Sequence, residues 1–284
     1  MSRISHIAFL GTGMLGAGFV EAAAGRGETI TAWNRTTSKA RALEHLGVRV
    51  AETPADAVRG AERVHLVLKD DAVVDDVIAA ARSALAPDTI IVDHTTNQPA
   101  LTAARANALH AAGVKYIHCP VFIGPAAARA GQGTIMSSGP RHLFDAIQPA
   151  LARMAERVEY LGERADLAAV YKLCGNAVII GTTALVADML AIATNANVPP
   201  IDVLHVADFF NPAATIRIRG KNMATRNYAP SFELDMSRKD VRLMIETAGT
   251  RPLCALPGIA ARMDTLIGEG EGRKDLGILG KTSV

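Results

Sequence analysis

The stretch His6-Ile-Ala-Phe-Leu10, running into Gly11-Thr-Gly13-Met14-Leu15-Gly16 and then into an alanine-rich run, decides the fold. A short apolar strand that enters a Gly-x-Gly-x-x-Gly turn and leaves as a helix is the opening βα unit of a doubly wound sheet. The glycines have separate mechanical roles. Gly11 makes the tight turn, Gly13 lets backbone approach a pyrophosphate, and Gly16 lets the helix pack close to the strand. The phosphates then meet the free N–H groups and positive dipole end of the helix that starts at Met14 and Leu15. Alone, the glycine pattern is an ordinary βα turn; the strand before it and the helix after it make it a dinucleotide site.

The second strand selects the cofactor. Glu28-Thr-Ile-Thr-Ala-Trp33 reads as a strand, and at its end, where an NAD site places a carboxylate on the ribose 2′-OH, stands Asn34-Arg35-Thr36. No acid is there to repel a 2′-phosphate. Arg35 can pair with it through a planar guanidinium and the threonine hydroxyls can donate to it, which points to NADP(H). The competing reading makes Thr36, Thr37 or Ser38 a helix cap and Arg35 a solvated charge.

Strand-like and helix-like segments alternate as far as about residue 162. The strands are expected near Val48, over Arg63–Leu68, Thr89–Asp93 and Val114–Val121, and near Gly133–Ser138 and Val158–Leu161. The helices between them are expected over Ser38–Leu46, after Pro54, and over Asp71–Leu85, Pro99–Ala112 and Pro140–Met154. Such alternation predicts an α/β, doubly wound parallel sheet with right-handed crossovers over residues 1–163. Residues 164–284 read as helices only: a long interdomain helix over Asp166–Asn195, then Pro199–Phe210, Ala213–Ala224, Met236–Ala248 and Leu256–Gly268. The carboxyl end of the fourth strand, Leu66 to Lys69, should run past the adenine or ribose side, so Leu68 and Lys69 join the expected cofactor contacts.

Composition narrows the function class. The 284 residues are 49% hydrophobic, 20% charged and 4% aromatic with net charge +2, and the basic residues are dispersed, which argues against disorder and a nucleic-acid partner. Cys119, Cys174 and Cys254 form no metal spacing and read as buried thiols in a reducing cytoplasm; no metal is expected. No secretory pattern follows the first strand. Between Lys172 and Asp188 lie fifteen uncharged residues, short of the ~18–20 of a membrane span, so a buried core helix and no membrane partner are expected.

Reduction of a carbonyl by hydride needs a proton for the developing alkoxide. Lys172 in Tyr171-Lys172-Leu-Cys-Gly-Asn176 is the candidate, and the i, i+4 spacing stacks Asn176 one turn away on the same helix face. Apolar flanks should partly desolvate this lysine and lower its pKa, although a lysine near the start of an apolar helix is more often a snorkelling surface residue.

On these residues the chain resembles the β-hydroxyacid dehydrogenase family, the group containing 3-hydroxyisobutyrate dehydrogenase and glyoxylate/succinic semialdehyde reductase, over essentially its full length. The family's opening GxGxMG is similar to Gly11-Thr-Gly-Met14-Leu-Gly16, with the methionine one place early. Its D-x-S/T-T-x-x-P is similar to Asp93-His-Thr-Thr96-Asn-Gln-Pro99, its K-x-x-x-N to Lys172 and Asn176, and its late Lys-Asp pair to Lys239 and Asp240. The resemblance implies that Lys172 is the general acid, Asn176 binds substrate, Thr96 and Lys239 touch the cofactor, and Phe232 and Asp240 belong to the substrate side. It also implies a small-molecule carbonyl substrate and a homodimer or homotetramer. The substrate loop departs from the family's D-A-P-V-S-G-G, reading His118-Cys119-Pro-Val-Phe122-Ile123-Gly124, so Phe122, Ile123 and Gly124 stand where a serine and glycines hold a carboxylate. Two alternatives to an aldehyde or keto-acid reductase stay open: an imine reductase, and a non-catalytic NADPH-binding sensor or partner module.

Overall fold

In the computed structural model, which describes residues 6–284, the first half alternates β1 (His6–Leu10), α1 (Met14–Gly25), β2 (Thr29–Trp33), α2 (Thr37–Arg41), β3 (Arg49–Val50), α3 (Pro54–Val58), β4 (Arg63–Leu66), α4 (Asp71–Ala81), β5 (Ile90–Asp93), α5 (Pro99–Ala111) and β6 (Lys115–His118). The six strands form one parallel sheet in the order β3-β2-β1-β4-β5-β6. That order reverses between β1 and β4, and the crevice outside the carboxyl ends of these two strands is where such sheets bind ligands. Both faces are covered, so the strands read as continuous apolar runs: Ile7, Ala8, Phe9 and Leu10 are each at most 1% exposed.

Three expected elements are divided. The strand expected over Val114–Val121 breaks at Cys119-Pro120 into β6 and a two-residue β7 (Val121–Phe122). Proline cannot donate to a ladder, and after it the chain joins a second sheet of β7, β8 (Thr134–Ser137) and β9 (Arg157–Tyr160). There Phe122 faces Thr134 antiparallel, while β8 and β9 run parallel. The helix expected over Ser38–Leu46 stops at Arg41 and resumes as a 3-10 turn over Glu44–Leu46, and Pro199–Phe210 divides into α9 (Pro200–Val203) and α10 (Val206–Phe209).

Between the strands of the second sheet lie α6 (Pro125–Ala130), which sequence reading passed over, and α7 (Arg141–Leu151). Pro125 at the first turn and Gly131 at φ 65° are the start and stop signals of α6. Then come α8 (Leu167–Asn195), α11 (Ala213–Ala224), α12 (Leu234–Ala248) and α13 (Leu256–Gly268). The chain divides into two compact units, Met1–Asn176 and Ala177–Val284, with the division falling inside α8 at 176 against the sequence-based boundary at 163. The second unit has its own core of Leu234, Val241, Leu256, Ala260, Met263, Leu266 and Ile278.

Two expectations about burial fail. Only 11% of the most apolar window of α8 is buried, so it is not a core helix of the single chain; by length and composition it could cross a membrane. Of the cysteines only Cys119 is buried, its thiol pushed up to about 12 by burial, while Cys174 and Cys254 are exposed.

Candidate active site

The parallel register aligns one row of residues across the carboxyl edge of the sheet: Trp33, Leu10, Leu66, Asp93 and His118 are successive partners. Every loop named from the sequence leaves the first unit's sheet at this row. Gly11 follows Leu10, Asn34 follows Trp33, Val67 follows Leu66, and the segments ending at Thr96 and Gly124 follow Asp93 and His118.

Backbone geometry explains the fingerprint. Gly11 sits at φ +105°, a conformation other residues rarely adopt, and a Cβ there would collide with the Val67 carbonyl. A Cβ on Gly16 would strike the Gly11 carbonyl oxygen, whereas one on Gly13 would meet nothing within 4 Å. The helix N-terminus therefore opens onto free space, and the Thr12 hydroxyl beside it is buried with no partner. Asn34 Oδ1 accepts from Thr12 N (3.0 Å) and its Nδ2 donates to Thr36 O (3.0 Å), tying the glycine turn to the loop that carries Arg35.

These loops line a cleft of about 600 Å³ that includes Gly11, Gly13, Asn34, Arg35, Thr36, Leu68 and Lys69. Its chemistry is divided. Leu68, Val73, Val77 and Ala80 give an apolar wall suited to a base, while Arg35, Lys39 and Lys69, the last paired with Asp70, put three cations on the lining beside the Asp76 carboxylate. Sequence reading missed Lys39; its signal was the i, i+4 spacing from Arg35 across the start of a helix. Thr36 precedes α2 without a side-chain cap bond, so its hydroxyl is not engaged in capping. Open Gly13 and the unpaired Thr12 hydroxyl at the helix N-terminus fit the pyrophosphate of a dinucleotide, and Arg35 and Lys39 stand on the same lining. Met14, 80% exposed, is not among the cleft residues.

A buried polar network built around the Asp93–Pro99 motif, with partners from other strands that the motif did not signal, holds the Thr96 turn. Asp93 accepts from Thr95 N (2.9 Å), Asn97 Nδ2 (2.8 Å) and Tyr116 OH (2.8 Å), Leu68 N donates to Thr95 Oγ1 (3.1 Å), and His118 Nε2 donates to Thr95 O (2.9 Å). His94 Nδ1 lies 2.7 Å from Cys119 O, which can only accept. Its Nε2, 2.9 Å from His65 Nδ1, is then the acceptor of that pair. Both rings are neutral: burial pushes His94 down to about 4 and His65 well below its ordinary range. Thr96 is left exposed at the tip of this braced turn.

Lys172 and Asn176 lie on α8 within the first unit. The Lys172 ammonium stands over the Phe122 ring, 4.3 Å from its centroid, and burial lowers its pKa from the ordinary lysine value. Among the described residues it makes no ion pair, so it is a half-buried cation whose partner is an aromatic face. Ile123 packs against the core of the first unit and Gly124 precedes α6.

In the second unit, Lys239 Nζ pairs with Asp240 Oδ1 at 2.8 Å. Phe232 is held by Asp275, which accepts from Phe232 N (3.1 Å), Ser231 N (3.1 Å) and Ser231 Oγ (2.7 Å) and pairs with Arg219. Burial pushes the Asp275 carboxyl up, but these bonds and one from Gly277 N outweigh it and hold it far below the carboxylate range. Among the described residues no group of three or more His, Cys, Asp or Glu could hold a metal.

Comparison with known proteins agrees with this geometry. The family described as the NAD binding domain of 6-phosphogluconate dehydrogenase matches residues 6–162. Glyoxylate/succinic semialdehyde reductase 1 of Arabidopsis thaliana is 25% identical over 94% of this chain and 94% of its own. Among solved structures, a Streptomyces aurantiacus imine reductase superposes with TM-score 0.89 at 23% identity, covering 99% of this chain and 100% of its own. An imine reductase from Myxococcus stipitatus in complex with NADP+ superposes with TM-score 0.86 at 19% identity, covering 98% and 100%. At such identities the two structures speak to the fold.

Proposed function

The chain belongs to the NAD-binding family of 6-phosphogluconate dehydrogenase and within it to the β-hydroxyacid dehydrogenases, and from that membership we propose an NADPH-dependent reductase of aldehydes or ketones, with Lys172 as proton donor. The observation that carries this reading is the half-buried Lys172 ammonium on the face it shares with Asn176. When bound, the reduced nicotinamide supplies the hydride. The oxygen of the reduced carbonyl then gains negative charge, and a positioned ammonium both stabilises that charge and delivers the proton. Asn176 can hold the same oxygen or a neighbouring hydroxyl through its amide.

Two features refine the substrate class. An ammonium at the reaction centre favours a neutral carbonyl that becomes negative over an iminium that arrives positive, which argues for C=O over C=N chemistry. Phe122 and Ile123 supply apolar surface where relatives of this family use a serine hydroxyl and glycine, so fewer groups are available to bind a substrate carboxylate. Larger, uncharged aldehydes and ketones should outperform glyoxylate and succinic semialdehyde.

The test is NADPH and NADH oxidation across a panel of both carbonyl kinds and cyclic imines. The expected result is turnover of apolar carbonyls with at least a tenfold NADPH preference in kcat/KM, since a charge-assisted contact from Arg35 is worth about 1.5–3 kcal/mol. Arg35→Ala should erode the preference. Turnover of imines alone, or equal use of the two cofactors, would overturn the respective parts of the proposal; no turnover at all would favour a binding module.

The exposed apolar side chains of α8, among them Val178, Ile179 and Ile180 at 48%, 54% and 68%, support a homo-oligomer in which a second copy covers them. Light scattering at micromolar concentration should give at least twice the 29.9 kDa of one chain. A monomeric mass would count against it.

A further inference from the structure

Phe122 stands at the end of β7, held in antiparallel register with Thr134. One face of its ring carries the Lys172 ammonium at 4.3 Å. The ring also fills a notch in α8: a Cβ on Gly175 would drive into its Cζ and lie 2.7 Å from Cε1 and 3.0 Å from Cε2. Lys172 and Gly175 are three residues apart and so share a helix face, which is how one ring touches both. A side chain larger than hydrogen at 175 would push the ring out from under the lysine.

We propose that Phe122 is the positioning residue of the proton donor: seated in the Gly175 notch, its π face fixes Lys172 Nζ and stabilises the ammonium form. The proposal deepens the function given above and rests on Lys172 being the donor. Physically, the half-buried site withholds water from the cation, which weakens the ammonium; the negative face of an aromatic ring returns part of that stabilisation without introducing a carboxylate. A carboxylate partner would hold the proton too tightly and repel the developing alkoxide. A ring supplies a weaker and neutral hold. The same ring thus takes the serine's place in the loop and becomes a support for the lysine.

Phe122→Leu tests the claim, because leucine keeps an apolar side chain but has no quadrupole. Lys172 can be titrated by NMR of labelled lysine side chains in the cofactor-free protein, with the resonance assigned by its loss in Lys172→Ala, alongside the basic limb of the kcat–pH profile. Loss of the π face removes stabilisation of the charged form, so both midpoints should fall by about half to one pH unit. Phe122→Tyr, which keeps the ring, should bring both back. Gly175→Ala should lower the Lys172 midpoint as leucine does, and add no further shift in the Phe122→Leu background. An unchanged NMR midpoint in Phe122→Leu overturns the proposal, as does a Gly175→Ala shift equally large with and without the ring. Near-normal turnover in Lys172→Ala would instead sink the donor reading, while the NMR titration still decides whether the ring holds the ammonium.

Discussion

Replacing Lys172 by alanine is expected to lower kcat by about 10²–10⁴ while leaving NADPH affinity within a few-fold of the unmodified protein. The separation follows from where the groups lie. The cofactor cleft is lined from the turns after β1, β2 and β4, from Pro54 and from α4, and Lys172 is not among its residues. Removing an α8 side chain therefore leaves the phosphate and ribose contacts alone. What disappears is the acid: Asn176, one turn away, carries an amide that hydrogen-bonds but does not give up a proton at neutral pH. Burial lowers the Lys172 pKa, and a general acid must be protonated to act, so kcat for reduction should fall as pH rises through a midpoint below the ordinary lysine value of 10.5. That limb should vanish in the alanine variant. Fluorescence titration with NADPH and steady-state kinetics on the best carbonyl substrate measure the two effects; a variant with near-normal kcat would make Lys172 structural and put the proton elsewhere.

Much of the site was legible because glycines, prolines and strand ends carry local physics that survives any tertiary context. Gly11, at φ +105° under the Val67 carbonyl, could be read from spacing alone, and so could the switch point that its position after β1 implies. Arg35's place on the cleft lining was legible from its position at the end of β2. The support behind these residues was not. His65, His94 and His118 come from three different strands or their ends, and only the parallel register assembles them: His65 and His94 stack with Phe9 and Phe19 on one face of the sheet, while Asp93 and Tyr116 bond on the other. The Phe122–Gly175 seat joins residues from two elements remote in sequence, and nothing in either segment announces the other. The long apolar run of α8 misled in the opposite direction, since periodicity cannot say whether an apolar helix is covered by its own chain. Val178, Ile179 and Ile180 stay exposed in α8.

Asp188 ends that apolar run, and in sequence it looks like the charge that interrupts it. In the second unit it is 1% exposed and accepts from three successive backbone amides, Cys254 N (2.5 Å), Ala255 N (2.9 Å) and Leu256 N (2.8 Å), at the start of α13. Ala255, at the cap position, has no side chain able to do this, so a carboxylate from α8 caps α13 instead. Asp188→Ala would strand these donors beside the core formed by Leu256, Ala260 and Met263. Losing this buried cap strands its amide donors, so a destabilisation of about 1–3 kcal/mol is expected, with Asp188→Asn recovering part of it. Burial pushes the Asp188 carboxyl up, but the bonds from Cys254, Leu256 and Ala255 outweigh it and leave its pKa below the ordinary 3.8. A depressed folded value means the charge contributes stability above the unfolded pKa and loses it as pH falls through the folded one. The gap between Asp188→Ala and the unmodified chain should therefore be widest near neutral pH and narrow below about pH 4. Urea unfolding at pH 7 and pH 3 measures both gaps; coincident midpoints at pH 7, or a gap that does not shrink in acid, would mean that water or a neighbouring oxygen already serves the α13 amides and that the carboxylate is not their cap.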